Sequence, residues 1–475
     1  MIKFIDEILN EFRDSFSRKK TFEWFVIVII GIIIKNDGIG ITSIIRELYI
    51  DPHHYECLMN FFRSDAWTLE RIRRTWAGII KNSSLILKLD GYSILIGDGI
   101  KIPKEGKKTP GVKKHHQDSE NSTKAKYMFG HHFGVISVLC GFVDKQFSIP
   151  LSSIIQDGAN EIRKFYQQAD VMTHAISIID QALKTAEVFG KSIILLDAYF
   201  LGAPMLKKVI EFTKDKIKSL EIITKAKKNC TAYADPPEYC GRGRPRKKGD
   251  SIKLFDLFNT VRNDFKMTNL FLYGKLQDVN YYSIDLLWGR GLYVKLRFVL
   301  VEMNDNKSIL VSTLLDLTPE KIIEAYSYRF KIEVSFKSLK EVCFGFSYHF
   351  WTTYMPKLDK YIKINNIINI ESITDEVVRG KILDTLTAIE KYVMCSCIAL
   401  GLLQMLSLKY SNIAVISKFR WLRTYSNEKY ASEATIAYYL RKYYFRLLSR
   451  NPFLSIVQII ISKQASFEED FDVGT

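Results

Sequence analysis

The chain lacks any cysteine pair at metal-site spacing, and its seven cysteines are scattered and odd in number. That argues against a disulfide framework and suits reduced thiols in a cytoplasm. No secretory leader is apparent, because "MIKFIDEILNEFRDSFSRKK" is amphipathic and charged. No run reads as a membrane span. "WFVIVIIGIII" (24–34) is too short and meets Lys35, Asn36 and Asp37 at once. "YVMCSCIALGLLQMLSL" (392–408) carries Ser396, Gln404 and Ser407. Both are expected to be buried helices. No internal repeat is present, which excludes a solenoid or propeller. Acid is in deficit: 52 Asp and Glu face 68 Lys and Arg, a net charge of +16. Such an excess points to a polyanionic partner, with nucleic acid the simplest and a membrane surface the competitor.

The 475 residues are 47% hydrophobic, enough for a sizeable core and two to four domains. Residues 1–90 read as helical, with the basic segment "LERIRRTW" (69–76). "YSILIGDG" (92–99) is an apolar run that predicts a buried strand breaking at Asp-Gly. The stretch 101–127 carries eight lysines and reads as loop. Strands are expected at 131–141 and 146–154, and a helix from Asn160 to Val188 stopped by Gly190. "KSIILLDAYF" (191–200) repeats the first pattern, a strand ending on an aspartate. A helix (203–217) and a strand (220–226) follow, then the glycine-rich break "CGRGRPRKKGD" (240–250). Residues 252–315 favour strands and 345–475 favour helices. The expected class is α/β.

"YSYRFKIEVSFKSLK" (326–340) sits in a predicted helix capped by Thr318 with Pro319 in its first turn. At about 100° per residue, Tyr326, Glu333, Lys337 and Lys340 fall within roughly 60° of one another, and Arg329 borders that arc. A solvated face of i,i+4 pairs is the ordinary explanation. Asp98 and Asp197 suggest another. Were their strands parallel neighbours, both carboxylates would meet at the carboxyl edge of the sheet, where open sheets place ligands. Adjacent buried carboxylates need a cation, and oxygen-only donors favour Mg²⁺ or Mn²⁺. Glu333 would supply a third carboxylate. Three acids holding two ions about 3.5–4 Å apart suit phosphodiester cleavage. Arg329, Lys337 and Lys340 would then face phosphates.

These residues resemble those of the DDE transposases of bacterial insertion sequences. Tyr326, Arg329, Glu333 and Lys340 match the spacing of that family's glutamate-helix signature. "GDGIKIPKEGKKTPG" resembles its first-aspartate region and "LLDAYF" its second. The resemblance spans about residues 90–345. It implies an RNase H-like catalytic core (91–228 and 316–345) with a β-rich insertion (229–315), flanked by a helical DNA-binding region (1–90) and a helical C-terminal region (346–475). The 136-residue gap between Asp197 and Glu333 fits such an insertion. It further implies that Asp98, Asp197 and Glu333 bind two Mg²⁺ or Mn²⁺ ions, and that water activated there nicks double-stranded DNA at terminal inverted repeats. The freed 3′-hydroxyl then attacks the opposite strand or the target. Tyr326, Arg329 and Lys340 would hold end DNA, within a homodimer at the bacterial nucleoid. Two alternatives stay open: a transposase-derived DNA-binding protein without catalysis, and an RNase H-like nuclease without strand joining.

Weaker signals remain. Arg242 and Arg244 in "GRGRPRK" read either as an A·T minor-groove hook or as a basic linker. Arg71, Arg73 and Arg74 read either as end recognition or as packing. His115, His116, His131 and His132 invite a zinc reading, but no cysteine pair supports them at structural-site spacing, so metal binding by them is not expected. Cys395 and Cys397 are expected to pack as small hydrophobes. Trp288 is expected to be a core or turn tryptophan.

Overall fold

The alternation of apolar runs and turn residues between 85 and 315 produces strands. The structure, a computed structural model, describes the chain except residues 118–124, 168–171, 215–217, 240, 242–243, 358–372, 411, 413–414, 416, 418–428 and 466–475. In chain order the strands are β1 (Lys88–Leu89), β2 (Tyr92–Pro103), β3 (Lys113–His116), β4 (Tyr127–Phe142), β5 (Lys145–Ile155), β6 (Ser192–Leu195), β7 (Leu220–Ala226), β8 (Thr231–Tyr233), β9 (Ser251–Lys253), β10 (Lys266–Leu272), β11 (Lys275–Trp288), β12 (Val294–Met303) and β13 (Asn306–Ser312). Among the described residues they form one sheet in the order β3-β4-β2-β6-β7-β13-β12-β11-β8-β9, with β1 on β2, β5 on β4 and β10 on β11. β2, β4 and β5 pair antiparallel, whereas β6 runs parallel to both β2 and β7. β13 joins β7 antiparallel, so the strands of 251–312 extend the same sheet.

Helices cover the sheet. Lys19–Ile34 is buried almost throughout, which explains an apolar run too short to span a bilayer. Glu376–Lys409 is long and apolar enough to cross a membrane, yet 94% of its most hydrophobic window lies inside the protein. It packs on β5, Lys19–Ile34 and Tyr55–Arg63. Cys395 and Cys397 are fully buried in it. Gly401 lets it approach Trp76, whose indole N–H donates to the Pro150 carbonyl at 2.9 Å; any Cβ at 401 would overlap that ring. Glu390 on the same helix accepts from the Ile155 N–H (2.8 Å) and from Arg163 (2.6 Å). Lys35 is wholly buried and donates to the Tyr392 hydroxyl at 2.7 Å.

Four expectations change. β2 does not break at Asp98-Gly99 but continues to Pro103, because β4 is long enough to pair with it as far as Pro103↔Gly130. Part of the lysine-rich stretch is strand β3, held by β4. The helix expected over 160–188 is two, Ala159–Gln167 and His174–Phe189; the second is closed by Gly190 at φ 83. The helix expected from Thr318 through Lys340 is also interrupted. Pro319–Ser327, capped by Thr318, passes through a tighter turn at Tyr328–Phe330 before Lys331–Glu341. A 3₁₀ turn eclipses residues three apart and breaks the 100° spacing on which the arc depended.

Candidate active site

Strand pairing sets the first two carboxylates. β2 and β6 are parallel neighbours, matched from Ser93↔Ser192 to Ile96↔Leu195. Asp98 and Asp197 each lie two residues beyond the last matched pair, at the point where β6 leaves the sheet. Asp197 opens a 3₁₀ turn, Ala198–Phe200, and its carbonyl accepts from the Thr224 hydroxyl at 2.9 Å. Asp98 turns one oxygen to the Gly99 N–H at 2.7 Å.

The broken helix brings Arg329 and Glu333 to the same edge. Arg329 sits in the 3₁₀ turn and Glu333 in the first turn of the following helix. The guanidinium donates to Asp98 Oδ2 at 3.1 Å through one nitrogen and to Glu333 through the other. Arg329 is 17% exposed and Glu333 56%. Arg329 therefore bridges two of the acids and does not project outward.

Electrostatics tie the third acid to the group. Burial pushes the Asp98 carboxyl above its ordinary value; Arg329 and the Gly99 N–H oppose this, while Asp197 and Glu333 add to it. Tyr326 is half-buried beside the same charges, and burial raises its phenol strongly, with Asp197 and Asp98 adding to the effect. The carboxylates repel one another with one arginine to offset them. Their donor set, all oxygen, is that of a hard divalent ion. They are not drawn to ligating distance: among the described residues only His115, His132 and Asp157 bring three ligand atoms within 4.8 Å of one another.

The remaining expected contacts scatter. Lys337 is 72% exposed and faces Glu341 at 3.9 Å. Lys340 is exposed on the same helix, and Arg244 is exposed in a turn. Arg242 lies outside the described residues. Arg71 and Arg74 are exposed, but Arg73 turns inward to donate to the Ser153 carbonyl at 2.6 Å, so packing accounts for it. Trp288 is half-buried, lining a cleft of about 240 Å³ with Ala198, Leu201 and Cys230. A larger cleft, about 760 Å³, opens just beyond β2, lined by Lys104, Lys107, Lys108, Lys357 and Trp351. Trp351 is 56% exposed.

The four histidines do not share one environment. His131 is satisfied on both nitrogens, by the Tyr348 hydroxyl (2.6 Å) and the Pro110 carbonyl (2.8 Å). His116 is exposed on β3. His115 and His132 instead converge on Asp157, which no sequence spacing had singled out.

Comparison with known proteins gives one family match: a family model described as DDE superfamily endonuclease matches residues 11–263, which include Asp98 and Asp197 but stop short of Glu333. No curated protein matches the chain, and no solved structure matches it.

Proposed function

The chain belongs to the DDE superfamily endonucleases, and from that premise we propose that it is a DNA transposase that cuts and joins strands at the edge occupied by Asp98, Asp197 and Glu333. DNA is the substrate that the family implies. The observation that carries the reading is the Arg329 bridge from Asp98 to Glu333, beside a parallel β2–β6 pair that brings Asp197 to the same edge. Three chain-distant acids share one electrostatic neighbourhood, which a solvated helix face would not require.

The order β5-β4-β2-β6-β7, antiparallel across the first three and parallel across the last two, supports an RNase H-like core. The strands of 251–312 fit a β-rich insertion between the second aspartate and Glu333. Divalent ions, which enzymes of this superfamily generally use, would be held by Asp98, Asp197 and Glu333; when bound they supply an activated water and stabilise the leaving oxygen. Cleavage breaks the P–O3′ bond, leaving a 3′-hydroxyl and a 5′-phosphate. Arg329 positions the Asp98 and Glu333 side chains at the edge through its two donor arms. The lysine-lined cleft beyond β2 offers cations and an exposed tryptophan to the DNA backbone and bases. Joining needs two ends held together, so the working unit is a homodimer on terminal inverted repeats.

The test is Mg²⁺-dependent nicking of DNA carrying the element's terminal repeats. Glu333→Gln should abolish nicking and keep DNA binding. Nicking retained in that variant removes Glu333 from the chemistry. End binding without nicking in the wild type under either Mg²⁺ or Mn²⁺ leaves a DNA-binding protein only.

A further inference from the structure

Behind the acid edge, on the other face of the sheet, lies a second cluster. Successive strand residues point to opposite faces. Asp98 faces Arg329, while a Cβ at Gly99 would collide with His132 Nε2 and lie 2.8 Å from His174 Nε2. Glycine at 99 is thus required by the rings packed beneath it. His115 comes from β3, His132 from β4, Asp157 from the turn after β5, and His174 from the start of the helix His174–Phe189. His132 and His174 lie against each other with centroids 4.2 Å apart and planes tilted by 36°, and His115 meets His132 edge-on at 5.8 Å.

The polar atoms here are poorly satisfied by the protein itself. The His132 Nδ1 to Asp157 Oδ2 separation is 3.4 Å, long for a charge-assisted hydrogen bond, and His115 Nδ1 stands 4.0 Å from the same oxygen. His115 anchors its other nitrogen on the Gly130 carbonyl at 3.2 Å, which leaves Nδ1 directed at Asp157. His174 is 7% exposed, yet its Nδ1 has no hydrogen-bond partner. Neighbouring Gln156 is fully buried with both amide atoms unpartnered. Buried polar groups are normally paired, so this concentration of unpaired atoms calls for a missing polar ligand.

We propose that His115, His132 and Asp157 form a binding site for a borderline transition-metal ion, with Zn²⁺ the best match. Metal–ligand bonds of about 2.0–2.1 Å in a tetrahedron set ligand–ligand separations of about 3.3–3.4 Å. Of the three pairs, His132–Asp157 already stands at that separation, His115–Asp157 must close by about 0.6 Å to reach it, and His115–His132 lies within 4.8 Å. Imidazole donors select zinc over the magnesium suited to the oxygen-only edge. The Gly130 carbonyl fixes the His115 ring, as an outer partner does for a ligating histidine. The ion is structural. It clamps β3, β4 and the turn after β5 under Gly99, making the floor of the acid edge rigid.

The experiment loads the full-length protein with equimolar zinc sulfate, dialyses it against metal-free buffer and measures metal by elemental analysis. The wild type should retain one zinc per chain. His115→Gln and Asp157→Asn should lose it with unchanged circular dichroism. Asp197→Asn should keep it, since the acid edge is separate. Replacement by Co²⁺ should give the intense visible absorption of a tetrahedral site. No zinc above the buffer blank in the wild type overturns the proposal. So does zinc retained in the His115→Gln/Asp157→Asn double variant, or lost in Asp197→Asn alone.

Discussion

Arg329→Gln should expose the charge balance of the acid edge. The side chains of Arg329 and Asp98 are 17% and 21% exposed, so solvent screens their 3.1 Å contact little. A hydrogen bond to a charged group in such a setting contributes about 1.5–3 kcal/mol. The arm to Glu333 adds little, since that carboxylate is 56% exposed; such pairs are worth about 0–1 kcal/mol. The variant should therefore lose about 2–3 kcal/mol at neutral pH, a drop of about 2–3 °C in Tm for a chain of 475 residues. The sign of the pH dependence follows from Asp98. Its folded-state value is raised above 3.8, so the fold favours the neutral carboxyl. The stability this gives is present at acid pH and falls as pH rises through the raised value. Loss of Arg329 raises that value further, so the variant's deficit should be small near pH 4 and open as pH climbs to 7. Mg²⁺ supplies the missing positive charge, so saturating Mg²⁺ should raise the variant's Tm more than the wild type's. Differential scanning fluorimetry across pH 4–8, with and without Mg²⁺, reads all three. Equal Tm values at pH 7, or a deficit that does not shrink toward pH 4, would refute the reasoning.

Other perturbations test other joints. Burial holds Lys35 down at about 8, against 10.5 when free, so wild-type stability should rise with pH between those values; Lys35→Met should flatten that rise, by up to about 3 kcal/mol in urea unfolding. Glu390→Ala strands Arg163 and the Ile155 N–H in a largely buried position and should cost about 3–5 kcal/mol by the same method. Gly99→Ala drives a methyl into His132 and His174; it should destabilise by about 1–3 kcal/mol and slow nicking by displacing Asp98. Arg242→Ala/Arg244→Ala should weaken affinity for A·T-rich end DNA and flatten its salt dependence if the segment enters the minor groove; unchanged affinity makes it a linker.

Sequence made some of this legible and hid the rest for physical reasons. The runs before Asp98 and Asp197 are continuous and apolar because both strands are covered on both faces, so two buried strands were readable from pattern, whereas their parallel pairing could only be supposed until the register was known. Thr318, Pro319 and Gly190 carry their helix boundaries in local chemistry, and each boundary stands in the structure. The 3₁₀ turn at Tyr328–Phe330 left no such mark, since no glycine or proline announces it. It sets Arg329 against Asp98, a contact that a helical wheel over 326–340 does not show. β3 was hidden because a four-residue lysine- and histidine-rich strand has no apolar signature; its partner β4 decides it. The His115–His132–Asp157 cluster was unreadable for a related reason. Its members come from two strands and a turn, and only strand register brings them together.

The central claim is that Asp98, Asp197 and Glu333 together grip divalent ions. Crystals soaked in Mn²⁺ and measured at the manganese edge test it most directly. The account predicts two anomalous peaks about 3.5–4 Å apart among these three carboxylates, with Glu333 drawn off Arg329. Manganese bound elsewhere only, with Glu333 still held by Arg329 and no peak at Asp98 or Asp197, would contradict it.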